Sequence, residues 1–72
     1  MEYIIVEVKD QPMADADVLI NGKMNGKTGS LLTLGDPGWI TVSVKLPGAK
    51  KEQVEVKDTT DQQPMSVVIE CA

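Results

Sequence analysis

The sequence predicts an all-β fold, a small antiparallel β-sandwich of about six to seven strands, and three observations lead there. Apolar and polar residues alternate over short segments, turn-forming residues recur at roughly 8–12-residue intervals, and no stretch holds a helical period for long. The best helical window, Gly48 to Gln53, is shorter than an isolated helix needs. The 72 residues make one domain, 1–72, close to the smallest size that a single core supports without disulfides or metal.

Tyr3 to Lys9 carries Ile4, Val6 and Val8 on one parity, and Asp10-Gln11-Pro12 ends the run, because proline has no amide for a ladder. Ala16, Val18 and Ile20 are in step in the next strand. Asn21-Gly22 then suits the two central positions of a type I′ turn, where both residues take positive φ and asparagine before glycine does so at least cost. Lys23-Met24-Asn25 is the returning arm of that hairpin, and Gly26 and Gly29 are read as bracketing a second turn. Leu31 to Leu34 is a short apolar piece whose facing the pattern leaves open. Gly35 to Gly38, with Pro37 inside it, is the following turn.

Trp39 to Leu46 alternates most cleanly, with Ile40, Val42, Val44 and Leu46 inward and Trp39, Thr41, Ser43 and Lys45 outward. Pro47-Gly48 breaks it. Gln53 to Lys57 resumes with Val54 and Val56 inward, Asp58 to Pro64 is a polar connection, and Met65 to Cys71 places Met65, Val67, Ile69 and Cys71 on one parity. Val68 falls out of step and is expected to be covered on both sides.

Eleven acids against seven lysines, with no arginine, give a net charge of −4, which disfavours nucleic acid and anionic membrane surfaces as partners. The absence of histidine removes the commonest general base and transition-metal ligand, so no enzyme, cofactor or metal is expected. Cys71 is alone, forms no intrachain disulfide, and reads as a small buried hydrophobe. The first residues show neither a basic leader nor a long apolar run. A cytoplasmic location is expected if the chain is complete, and a surface or periplasmic one if it was excised from a longer precursor.

Two motifs come close to ligand loops without matching them. Gly26-Lys27-Thr28 supplies the end of a phosphate-binding loop, but Asn21 stands where its first glycine belongs, and the breakers beyond Leu34 leave no room for the helix that must follow. Asp15-Ala16-Asp17 with Asn21-Gly22 approaches a calcium loop, yet Leu19 and Ile20 occupy positions that need an oxygen ligand and a glycine. Both are read as parts of the β framework.

From Ala16-Asp17-Val18-Leu19-Ile20-Asn21-Gly22-Lys23 through Gly26-Lys27-Thr28, Leu32-Thr33-Leu34 and Pro37-Gly38 to Ile40-Thr41-Val42-Ser43-Val44, the chain resembles a PEGA domain over positions 13–57. Gly29 stands where that family commonly has proline, and Pro47-Gly48-Ala49 lacks an aromatic that often follows the glycine. The resemblance implies a transthyretin-like or prealbumin-like sandwich, related to carboxypeptidase-regulatory modules, that serves as a noncatalytic appendage of larger proteins.

The expected function is accordingly a noncatalytic interaction or structural module, meeting a protein partner or an adjacent domain or acting as a spacer. The alternative is a carbohydrate-binding module that uses Trp39. That residue sits on the polar parity just after a turn, where it is either an exposed stacking platform or a lid over one end of the sandwich. Lys23 and Lys27, with Lys50 and Lys51, either converge into a basic spot for an acidic partner or simply deter edge pairing. The residues expected to define turns are Asn21, Gly22, Gly26, Pro37, Gly38 and Gly48.

Overall fold

The computed structural model describes residues 1–72 as seven strands without a helix: β1 (Glu2–Val8), β2 (Asp17–Ile20), β3 (Lys23–Lys27), β4 (Leu31–Leu34), β5 (Gly38–Val44), β6 (Glu52–Val56) and β7 (Met65–Ile69). They form two sheets, ordered β4-β1-β7 and β3-β2-β5-β6, around one core. The all-β sandwich read from the alternation is thus the fold. One pair departs from the antiparallel rule. β7 lies parallel to β1, in register from Ile4↔Met65 to Val8↔Ile69, because the Lys57–Pro64 connection carries the chain from one sheet to the other before β7 begins. Alternation marks which face is buried and is silent on strand direction.

Thirteen apolar residues make the core, eleven of them on the expected parities. Leu32 and Leu34 complete it, which settles the facing of β4: Leu31 turns out at 45% exposure. Ile40, Leu46 and Val54 are only half-buried and pack against the core from its margin. Ile40 on β5 pairs with Val54 on β6 at one end of the four-stranded sheet, which is one strand wider than the sheet facing it. Val68 is 51% exposed rather than covered on both sides, since its parity is opposite to that of Val67 and Ile69, which point into the core.

The hairpin forms as the sequence predicts. Asn21 (φ 51°) and Gly22 (φ 83°) both take positive φ, and Ile20 faces Lys23 across them. The Asn21 amide donates to the Thr41 carbonyl and its Oδ1 accepts from the Thr41 amide, both at 2.9 Å, so the turn also extends the β2–β5 ladder.

Gly26 is a correction. It lies inside β3 opposite Val18, after a bulge at Asn25, and the turn comes later at Thr28-Gly29. Its lack of a side chain matters for clearance, because a Cβ there would run into the Leu32 side chain from the other sheet. Gly38 likewise belongs to a strand, as the first residue of β5 opposite Val56, which leaves Gly35, Asp36 and Pro37 as the turn. Gly48 is a turn residue (φ 76°), and its carbonyl accepts from the Ala72 amide at 2.8 Å. β7 stops at Ile69, and Cys71 instead bridges Ala49, half-buried.

Candidate functional site

The Gly26-Lys27-Thr28 motif sits where the chain leaves one sheet for the other. Lys27 lies directly opposite Asp17 on β2 and its Nζ reaches Asp17 Oδ1 at 2.8 Å. This hydrogen bond holds the Asp17 carboxyl below its usual range and the Lys27 ammonium above its own, with the mutual charge attraction adding in both directions. Thr28 is buried at 9% exposure. Its Oγ1 donates to the Ala14 carbonyl at 2.8 Å and accepts from the Ala16 amide at 3.2 Å, while its own amide donates to the Ala16 carbonyl at 3.0 Å. The Gly29 amide donates to the Val6 carbonyl at 2.9 Å. The Thr28 and Gly29 amides are therefore engaged within the fold, and β4 follows where a phosphate loop would need a helix.

Trp39 is 69% exposed and does not close the end of the sandwich as a lid. It stands on the outer face of β5 opposite Glu55 on β6, with Thr41 opposite Gln53 beside it. A shallow hollow of about 150 Å³ is lined by Trp39, Ile40, Thr41 and Gln53. An indole face beside an amide and a hydroxyl can stack on an apolar ring and hydrogen-bond its edge.

The lysines do not converge. Lys23 and Lys27 occupy β3, while Lys50 and Lys51 precede β6, and β3 and β6 are opposite edges of the same sheet. Lys27 is further committed to Asp17. Lys23 stands alone at the hairpin end.

A second clamp escapes sequence reasoning altogether. Thr59 Oγ1 accepts from the Tyr3 amide at 2.8 Å and donates to Glu2 Oε1 at 2.6 Å, and the Thr59 amide donates to the same carboxylate oxygen at 2.9 Å. These bonds from Thr59 hold the Glu2 carboxyl below its ordinary range. They tie the β6–β7 connection to the start of β1. Only the hydroxyl in an otherwise unremarked polar loop hinted at this.

The outer face of the β4-β1-β7 sheet carries Tyr3, Ile5, Leu31 and Val68, with Thr33 and Ser66 among them. Leu31 pairs with Ile5, and Val68 with Glu7, the one charged residue among the outward positions of these three strands' pairing region. Tyr3 and Ile5 are half-buried, Leu31 and Val68 exposed. No family model matches the sequence, and no curated protein matches it significantly.

Proposed function

We propose that this chain is a noncatalytic interaction or structural module that meets a protein partner or an adjacent domain. The observation that carries the reading is the outer face of the β4-β1-β7 sheet, where Ile5 pairs with Leu31, Tyr3 lies two residues along β1 opposite Thr33, and Val68 stands opposite Glu7, the single charge. Exposed apolar side chains such as Leu31 and Val68 on one sheet face mark a contact surface. The shifted carboxylates support the same reading, since Glu2 and Asp17 are lowered by structural hydrogen bonds, opposite in direction to an acid poised to donate near neutral pH. The resemblance to PEGA modules agrees with it.

The test is capture of partners from the source organism by the wild-type chain and by Val68→Lys, which places a charge on that face at an exposed position. Loss of a specific partner with an unchanged circular dichroism spectrum supports the reading. Identical capture by both proteins refutes the assignment of this face.

The exposure of Trp39 favours a second reading, a carbohydrate-binding module using the Trp39–Gln53 hollow. Trp39 is the sole tryptophan, so its fluorescence reports the site without ambiguity. A saturable shift on titration with oligosaccharides, lost in Thr41→Ala together with Gln53→Ala, supports it; an unchanged spectrum across a glycan panel rejects it.

A further inference from the structure

The chain has two asparagines, and each opens the same kind of tripeptide: Asn21-Gly22-Lys23 and Asn25-Gly26-Lys27. An asparagine before glycine is the pair most open to attack on its own side chain, because glycine has no Cβ to keep its nitrogen away from the carboxamide carbon. Local sequence gives the two sites equal reactivity. The fold separates them.

Asn21 is tied to an interior strand of the four-stranded sheet by backbone and side chain alike: its amide donates to the Thr41 carbonyl and its Oδ1 accepts from the Thr41 amide, both at 2.9 Å. Its φ of 51° also belongs to the turn that joins β2 to β3. Swinging the carboxamide onto the Gly22 nitrogen breaks the side-chain bond and turns the peptide out of the hairpin geometry. Asn25 carries no such tie. It is the bulged residue of β3, lying between the pairs Met24↔Leu19 and Gly26↔Val18 with no residue of β2 opposite it, and β3 is an edge strand whose only neighbour is β2. Its side chain is exposed and makes no hydrogen bond within the chain. Gly26 is held to glycine because a Cβ there meets Leu32, so the fold itself retains the reactive pair.

We propose that Asn25 is a modification site, at which the folded chain converts its own asparagine into aspartate and isoaspartate with water as the only co-reactant, while Asn21 is protected. The Gly26 backbone nitrogen, its proton lost to hydroxide, attacks Asn25 Cγ; the new N–Cγ bond closes a succinimide, the Cγ–Nδ2 bond breaks and ammonia leaves. Water then opens the ring at either carbonyl. Ammonia takes up the proton of the new acid, so the chain gains one negative charge on its net −4 and nothing is oxidised or reduced. Isoaspartate lengthens the backbone by one methylene. At position 25 that extra length falls where β3 already accommodates an unpaired residue, whereas at position 21 it would undo the two-residue turn. The modified chain therefore stays folded, with a carboxylate between Lys23 and Lys27 on β3.

The test holds the full chain at mildly alkaline pH, both folded and in guanidinium chloride, and follows each site by peptide mass. Cleavage after lysine puts Asn21 in the peptide Asp10–Lys23 and Asn25 in Met24–Lys27, so a gain of one mass unit is read at each site separately. In denaturant the two should react within about threefold of one another, since their local sequences match. In the folded chain Asn25 should react at least about tenfold faster than Asn21, the margin expected from the two hydrogen bonds that Asn21 keeps. Asn25→Gln should abolish the acidic species, and Asn25→Asp should retain the parent circular dichroism spectrum. Equal rates at the two sites of the folded chain mean reaction through global unfolding and overturn the proposal. Faster reaction at Asn21, no reaction at Asn25, or loss of the fold in Asn25→Asp does the same.

Discussion

Replacing Thr28 by valine keeps the shape of a β-branched side chain and removes only the hydroxyl that ties the β3–β4 corner to the segment before β2. Two groups lose their partner: the Ala16 amide, on a residue 6% exposed, and the Ala14 carbonyl, on a half-exposed residue that water can reach. An orphaned buried amide costs about 1–3 kcal/mol and a hydrogen bond exchanged for water about 0.5–1.5 kcal/mol, which together give roughly 2–4 kcal/mol. A domain of this size has about 4–11 kcal/mol in all. The substitution should therefore remove about a fifth of the stability or more and lower Tm by roughly 8–32 °C. Urea denaturation followed by far-ultraviolet circular dichroism measures it, since the exposed Trp39 is a weak reporter of unfolding. Thr28→Ser, which keeps the hydroxyl, should recover most of the loss. A Thr28→Val midpoint within about 0.5 kcal/mol of the parent would falsify the clamp, and with it the account of why a threonine follows Gly26-Lys27.

Gly26→Ala should destabilise by about 1–3 kcal/mol in the same assay, because the new methyl meets the buried Leu32 side chain, whereas Gly35→Ala, which meets nothing, should be neutral or stabilising by about 0.4–1 kcal/mol; equal effects would discard the clearance argument. The pH dependence follows from the paired groups. Glu2 and Asp17 are lowered in the fold, so their contribution is complete above their unfolded values of 4.5 and 3.8 and is lost as pH falls through the lower folded values. Lys27 is raised, so its contribution persists below its unfolded 10.5 and disappears as pH climbs through the higher folded value. Midpoints measured from pH 6 downward should drop below about pH 4, and Asp17→Asn should flatten part of that slope; a slope identical in the variant would remove Asp17 from the account.

Alternation in β1, β2, β5, β6 and β7 carried the fold class, because each of those strands has one face on the dry middle and the pattern of period two records it directly. The Asn21-Gly22 turn was equally legible, since positive φ at two successive positions is a local demand met by few residue pairs. Gly26 was misread for an instructive reason. A glycine needed for φ and a glycine needed for space look alike in a sequence, and only the approach of Leu32 from the other sheet tells them apart. Val68 was misplaced in the same way, by assuming that an extra apolar residue must find cover.

Side-chain chemistry and backbone preference, both local, thus determined the strand identities and the hairpin. The tertiary structure alone decided that β7 runs parallel to β1, that Thr28 and Thr59 bind distant backbone, and that Lys27 is committed to Asp17 while the lysines stay apart. These properties depend on which strands become neighbours. Neighbours distant in the chain leave no periodic trace along it, so they emerge only when the two layers close.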